Sequence, residues 1–457
     1  MRVIVAGAGQ VGAAIARYLV RAGNDVTIID KNPEHAQRIG DALDIQAITG
    51  HAALPSTLEA AGAADADLLI AVTHVDEVNM VACQVAHSLF NVPTRIARIR
   101  EQDYLRGRFS DLFRREHIPI DVVISPEREV AHAIALRLAV PGALTVVPFA
   151  DDLVRLVAVR IGETAAVLDT PLRQLTRLFP DLHLVCVGIL RGERFFVPTG
   201  DDSILVDDEV YFVVETAHLA RALPVFGHDE RLGERIVIVG GGNVGLALAE
   251  ELEARHPDLM IKLIEASRPR ADLVAERLAR TVVLCGDGHS RDLLLEAGAD
   301  GAAAIVAVTN DDEINVMSGL LAKRLGCRRA MALVTKSDYE ILTSAIGIDV
   351  TINPRETTVS SILGHIRRGR IRQVHTLRDG AAEVFEAEAL ETSPIVGRPL
   401  KELKAPGLVV GAVVRGGQIV SPRGDTIIRT GDRVVLAARA ETVKRVEQLF
   451  AVRLDYF

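Results

Sequence analysis

Gly7-Ala8-Gly9-Gln10-Val11-Gly12 recurs as Gly240-Gly241-Gly242-Asn243-Val244-Gly245. The first copy follows an apolar run, Val3 to Ala6, and opens a stretch with Val11, Ile15, Tyr18 and Leu19 at helical spacing. A strand, a glycine turn and a helix in that order begin a βαβ unit. Working outward, Gly50 answers Gly286, and Thr73-His74-Val75-Asp76-Glu77-Val78-Asn79-Met80 answers Thr309-Asn310-Asp311-Asp312-Glu313-Ile314-Asn315-Val316. Asp121 to Pro126 answers Asp349 to Pro354, Pro171-Leu172 answers Pro399-Leu400, and Gly200-Asp201 answers Gly424-Asp425. The order is the same in both halves, which predicts a duplicated two-lobe unit. Gly227, His228, Asp229, Glu230 and Gly233 read as the polar junction.

In the first copy, strands are expected at Arg2–Ala6, Asp25–Asp30, Ile45–Thr49, Leu68–Val72, Thr94–Arg100 and Val122–Ile124. Helices are expected at Gln10–Arg21, ending near Gly23, from Asn32-Pro33 onward, and at Asp76–Phe90. Apolar strands alternating with amphipathic helices imply a parallel sheet covered on both faces. Right-handed crossovers then give a doubly wound, Rossmann-like domain. Glu127–Leu138 reads as a helix leaving it. Short β runs follow at Leu153–Arg160, Leu184–Leu190, Phe195–Pro198 and Glu209–Val214, a small α+β lobe of about 80 residues. The expected class is therefore α/β, with two Rossmann-like sheets each followed by a small α+β lobe. The lobes are placed at 1–126, 143–228, 232–354 and 368–453.

The chain has 457 residues and a formal charge of −9, with 49% hydrophobic and 4% aromatic residues and no Trp. That much apolar sequence excludes a disordered chain. Scarce aromatics argue against stacking of single-stranded nucleic acid, and the acidic balance disfavours duplex phosphates; no nucleic-acid partner is expected. Cys83, Cys186, Cys285 and Cys327 lie far apart and read as buried or half-buried thiols, in keeping with a reducing cytosol. The uncharged run Val3–Ala16 mimics a signal peptide, but Gly7, Gly9, Gln10 and Gly12 fit a strand–turn–helix better. No stretch reads as a membrane span, so no direct insertion is expected.

The glycines carry the first functional reading. Gly7 permits a tight turn, Gly9 lets backbone approach a pyrophosphate, and Gly12 lets helix and strand pack closely. Backbone of Gly7, Ala8, Gly9, Gln10 and Val11, and of Gly240, Gly241, Gly242, Asn243 and Val244, would meet phosphate at a helix N-terminus. Asp30 ends strand two, where a carboxylate can take ribose hydroxyls; that favours NAD or an adenosine nucleotide over NADP, and Glu265 is its counterpart. Arg98 and Arg100, two apart on strand five, share a face at its C-terminal end and are candidate phosphate partners. By repeat alignment Val334 and Lys336 stand there in the second copy, so the two sites are expected to be unequal. Thr73 and His74, and Thr309 and Asn310, face the same crevice; they either contact nucleotide or form a turn beside a helix capped by Asp76 or Asp312. Gly50-His51 and Gly286-Asp287 lie on the adenine side or are turns only. No P-loop, His-Glu-x-x-His or Gly-x-Ser-x-Gly is present, and neither catalytic nor metal-ligating residues are recognisable.

The duplicated layout resembles the TrkA family of tandem RCK (KTN) domains. Also similar are Ala71-Val72-Thr73 leading into Asp76 to Met80, Ile305 to Glu313, Met80 to Ala86, and Pro93 to Arg100. The resemblance covers essentially the whole chain. It implies a regulator without enzymatic activity, peripheral on the cytoplasmic face of the inner membrane, beneath a Trk-type membrane potassium transporter. It further implies a ring of eight RCK units, hence a homotetramer of this chain. NAD(H) would bind the Rossmann lobes and ATP or ADP the first of them, gating transport. The competing class is an NAD-dependent oxidoreductase with two Rossmann domains; small lobes of about 80 residues and the lack of an acid/base pair speak against it. A DNA-binding NAD sensor would need a basic helix-turn-helix; the one dense basic stretch, Arg367 to Arg372, carries Gly369 and reads as a connector or partner-facing patch.

Overall fold

A computed structural model describes residues 1–228, 233–336, 339, 343, 346–366, 371–377, 380–403 and 407–451. Most of the basic stretch Arg367–Arg372 and the centre of the junction, Asp229 and Glu230, lie outside the described residues. The described chain forms two compact units, Met1–His132 with Arg235–Leu363, and Ala133–Glu234 with Gly364–Phe457.

The first unit holds two parallel six-stranded sheets. One comprises β1 (Arg2–Ala6), β2 (Asp25–Asp30), β3 (Gln46–Thr49), β4 (Leu68–Ala71), β5 (Thr94–Arg98) and β6 (Val122–Ile124). Its order is β3-β2-β1-β4-β5-β6, the doubly wound arrangement whose direction reverses beside β1. In the second unit, β7 (Ala143–Phe149), β8 (Val154–Arg160), β9 (Val185–Arg191), β10 (Arg194–Phe196) and β11 (Glu209–Glu215) form an antiparallel sheet, β10-β9-β11-β8-β7. The first unit's other sheet repeats the first with β12 (Arg235–Val239), β13 (Met260–Glu265), β14 (Val282–Cys285), β15 (Ala304–Ala307), β16 (Ala330–Leu333) and β17 (Val350–Ile352), in the order β14-β13-β12-β15-β16-β17. The second small sheet is β18 (Ile371–Leu377), β19 (Ala382–Glu388), β20 (Leu408–Arg415), β21 (Gln418–Val420) and β22 (Arg433–Arg439). The chain is α/β, as its periodicity predicts.

Local chemistry accounts for the element ends. Asn32 caps the helix Pro33–Leu43: its Oδ1 accepts from the N–H groups of Glu34 (2.9 Å) and His35 (3.4 Å). β1 is buried from Val3 to Ala6, because helices cover both sheet faces. In the second unit, a shared apolar core joins Phe149, Leu156, Tyr211 and Val213 of the first small lobe to Val384, Ala412 and Val435 of the second. Glu386 Oε2 accepts from the Ala150 N–H at 2.8 Å across that contact, and Arg433 pairs with both Glu386 and Asp151.

Three details differ from expectation. Strand β7 was not anticipated; Pro148 interrupts its pattern, which an edge strand tolerates. Strand five ends at Arg98 because the Arg100 N–H leaves the ladder for Asp76. Cys285 is exposed, unlike the other three thiols, since it ends the edge strand β14.

Candidate nucleotide-binding site

The two Rossmann lobes present the same crevice at the carboxyl ends of their strands. Gly7 has φ +116° and Gly240 φ +106°, which favour glycine. A Cβ on Gly12 would lie 1.8 Å from the Gly7 carbonyl oxygen, and one on Gly245 1.9 Å from that of Gly240. The third glycine therefore sets helix–strand contact in both copies. A Cβ on Gly242 would meet nothing within 4 Å, and one on Gly9 only His74 Nε2 at 3.8 Å. The middle glycine thus faces open space, as a backbone surface for a pyrophosphate requires. The helices Gln10–Arg21 and Asn243–Arg255 carry no side-chain cap and no acid in the first turn. Their leading N–H groups keep their partial positive charge for an anion.

The strand-two acids are locked to these turns. Asp30 Oδ2 accepts from the Ala8 N–H (2.6 Å) and Oδ1 from the Asn32 N–H (2.8 Å). Glu265 Oε2 accepts from the Gly241 N–H (2.7 Å) and Oε1 from the Ser267 N–H (2.8 Å). Each carboxylate keeps further lone pairs on both oxygens, the chemistry a ribose diol recognises.

Thr73 and Thr309 build the opposite wall. Each N–H and hydroxyl donates to a buried asparagine, Asn79 Oδ1 (2.9 and 2.7 Å) or Asn315 Oδ1 (2.8 and 2.7 Å). The same amides donate to the strand-five carbonyls of Arg98 (2.8 Å) and Leu333 (2.9 Å). Asp76 does not cap its helix; its Oδ2 accepts from the N–H groups of Arg100 and Glu101, both at 2.8 Å. Asp312 likewise holds the N–H groups of Thr335 and Lys336, while Asp311 supplies the helix cap. These buried residues position the crevice; the sequence reading takes Asp76 and Asp312 for helix caps and gives Asn79 and Asn315 no role, although the Asp-x-x-Asn spacing in both copies is the signal. His74 and Asn310 are exposed at the mouth.

Those matched hydrogen bonds also fix the register of the repeat. Arg98 corresponds to Leu333 and Arg100 to Thr335, whereas Lys336 falls opposite Glu101. The sequence alignment onto Val334 and Lys336 is thus corrected by one residue. An ungapped match across the preceding loop hid the shift.

Strand five of the first lobe ends in a buried cation. Arg98 is 9% exposed, and its Nε has no hydrogen-bond partner. Desolvation, and then the neighbouring Arg100 charge, pull its guanidinium below the ordinary value, against Glu127 and Asp76. Arg100 is half exposed and donates Nε–H to Glu127 Oε1 at 2.9 Å. Arg95, on the same strand, is by contrast saturated by Pro119, Val92 and Asp121. A buried N–H left without an acceptor costs about 1–3 kcal/mol, which an added acceptor would recover. The second crevice has its cation elsewhere: Arg270 donates to the Gly241 carbonyl (2.7 Å) and to Asn243 Oδ1 (3.2 Å), beside the glycine turn. Nothing in the sequence pattern flagged Arg270.

The TrkA-N domain pattern matches residues 3–126 and 236–354, and the TrkA-C domain pattern matches 156–227 and 384–451. The chain belongs to the TrkA family. The Trk system potassium uptake protein TrkA of Azorhizobium caulinodans is 51% identical over 458 residues, with both chains covered completely. The TrkA protein of Halomonas elongata is 41% identical over 462 residues, again with both covered completely. Among solved structures, the GsuK RCK domain shares the fold at a TM-score of 0.60 and 19% identity, over 99% of this chain and 95% of that one. The GsuK channel bound to NAD matches at a TM-score of 0.59 and 20% identity, over 99% of this chain and 79% of that one. As a TrkA family member the chain carries both lobe types in duplicate. Among its described residues, no helix is long and apolar enough to cross a membrane.

Proposed function

We propose that this TrkA family chain is the nucleotide-sensing regulatory subunit of a Trk-type potassium-uptake transporter, peripheral on the cytoplasmic face of the membrane. It performs no chemistry of its own. Four copies form a ring of eight RCK units, and nucleotide occupancy gates the transporter. NAD(H) fits both crevices: the helix-leading N–H groups of Gly9 to Val11 and of Gly242 to Val244 take the pyrophosphate, since those of Gly7, Ala8, Gly240 and Gly241 are already donated to Ile29, Asp30, Ile264 and Glu265, and Asp30 and Glu265 take ribose hydroxyls. Thr73, His74, Thr309 and Asn310 line the crevice mouths. ATP or ADP binds the first crevice, where Arg98 and Arg100 reach its phosphates.

The observation that carries this reading is the unpartnered Arg98 Nε beside Arg100 at the end of strand five in the first lobe, where the second lobe has Leu333. ATP and ADP differ by one phosphate, and a ligand gates only through its differential affinity for two states. A cation waiting for phosphate is where such a difference arises. The family relationship, extending over full-length relatives named for potassium uptake, supplies the transported ion. The test is potassium flux through the co-purified transporter with ATP, ADP and NADH, for wild type and Arg98→Met. Nucleotide-dependent flux that Arg98→Met flattens for ATP and ADP is expected. Flux indifferent to all three nucleotides, or NADH oxidation by the isolated protein, overturns the proposal.

A further inference from the structure

Outside the crevices, the first small lobe gathers three side chains with the make-up of a metal site. His183 stands between the turn Pro180–Leu182 and strand β9. Glu215 is the last residue of β11, and His218 closes the single turn Thr216–His218 after it. Strands β9 and β11 run antiparallel, so the entry of one lies beside the exit of the other. That pairing joins residues 32 positions apart, which is why spacing along the chain did not reveal them.

The geometry is close to what an ion needs. His183 Nδ1 lies 2.8 Å and His218 Nδ1 3.5 Å from the same oxygen, Glu215 Oε2. One donor atom from each residue lies within 4.8 Å of the other two. Zinc–nitrogen and zinc–oxygen bonds of about 2.0–2.2 Å place tetrahedral donors roughly 3.3–3.6 Å apart. The three side chains are 24–30% exposed, so an ion can reach them while the surroundings hold them. His218 Nδ1 is itself buried and makes no hydrogen bond, and neither does the buried Thr216 hydroxyl beside it. A buried ring nitrogen without a partner is costly to leave unpaired, and a cation would satisfy it.

The repeat supplies an internal control. Val185 pairs with Val213, as Val409 does with Ala437, so His183 corresponds to Gly407 and Glu215 to Arg439. The following turns match His218 to Thr442. None of the three donors is present in the second lobe. A Cβ on Gly407 would run into the Arg439 guanidinium, which fills the equivalent place with a fixed positive charge. Both His183 (φ 48°) and Gly407 (φ 77°) are left-handed, so the first lobe places an imidazole where its twin has glycine.

We propose that His183, Glu215 and His218 bind one divalent transition-metal ion of the zinc class per chain, in the first small lobe only. Two imidazoles and a carboxylate select such an ion over magnesium or calcium, which prefer all-oxygen sites. Three protein donors leave a fourth position for water. The bound ion ties the exit of β11 to the entry of β9, and this assignment is independent of the nucleotide reading.

The experiment uses the untagged full chain, stripped of metal and titrated with Co²⁺, then with Zn²⁺. The expected result is the visible absorption of tetrahedral Co²⁺, saturating at one ion per chain and abolished by Zn²⁺. His218→Ala should weaken Co²⁺ binding by more than about tenfold, since even partners outside the ligand set alter affinity by 10–100-fold. His117→Ala, an exposed histidine of the first unit, should bind as wild type does. Without metal, His218→Ala should melt close to wild type, because its Nδ1 makes no hydrogen bond and only a 3.5 Å approach to Glu215 is lost. Added Zn²⁺ should then raise the melting temperature of wild type alone. No saturable Co²⁺ spectrum in wild type overturns the proposal, as does equal binding by wild type and a His183→Ala/His218→Ala variant.

Discussion

The two Rossmann lobes share a backbone and differ in where they keep positive charge. Both have the glycine turn, the acid locked to it, the buried Asn that braces strand five and the Asp that holds its exit. In the first lobe the cations are Arg98 and Arg100, at the end of strand five; their counterparts are Leu333 and Thr335. In the second the cation is Arg270, beside the glycine turn. Groups that shape the crevice are common to both copies, and the cations proposed here to choose an occupant are not. The scaffold is thus separable from the choice of ligand.

The harshest way to break the comparison is to remove what both lobes share. Gly12→Ala and Gly245→Ala each drive a methyl into a carbonyl of the preceding turn. Each should destabilise its own lobe by more than about 3 kcal/mol, read as a lower unfolding midpoint in urea, with nucleotide binding lost at that crevice. Equal stability of Gly12→Ala and wild type would show that the turn is not the framework described.

A milder change sharpens the difference. Arg98→Met roughly keeps volume and removes a desolvated charge whose Nε has no hydrogen-bond partner, so the unliganded protein should be about as stable as wild type. ATP affinity should nevertheless fall about 10–100-fold, the equivalent of losing a charged hydrogen bond of about 1.5–3 kcal/mol. Arg270→Ala should weaken NAD(H) binding at the second crevice only. Lys336→Ala should change neither affinity, since Lys336 sits opposite Glu101 and pairs with Glu313. Calorimetric titration of the three variants with ATP and NADH reads all of these; a large Lys336→Ala effect would restore the register drawn from sequence.

Much of this was open to a reader of the sequence alone. The glycine spacing and the strand-end acids gave the crevices, because a period-two strand, a tight turn and a helix leave few other folds for Gly7 to Asp30. Asn32-Pro33 marked its helix by capping chemistry that acts over three residues. What stayed hidden depends on contacts between distant residues. Asp76 reads as a helix cap until the Arg100 N–H is seen to reach it, and Arg270 is an ordinary helix arginine until its helix packs beside Gly241. His183 and His218 are scattered histidines until two antiparallel strands bring them together.

The small lobes allow a further, smaller test. The matched registers within the two small sheets make His375 of the second lobe the counterpart of Val147 in the first. Desolvation, reinforced by Arg137, pushes the His375 imidazole down to about 4 from 6.5. The depressed folded pKa means its neutral form supports the fold above pH 6.5, and that support is lost as pH falls from about 6.5 towards 4. His375→Val should remove about 1–2 kcal/mol of the acid destabilisation in that window. Urea midpoints at pH 7 and pH 5 check it; parallel losses in both proteins would assign the effect to other groups.

The apolar core shared by the two small lobes has one more consequence. Two separate single-copy chains meeting there would be held together by concentration, and their crevices would be identical by symmetry. Here one polypeptide supplies both partners, so dilution cannot part them and no symmetry ties one crevice to the other. That freedom is what lets Arg98 sit in one half while Leu333 sits in its twin.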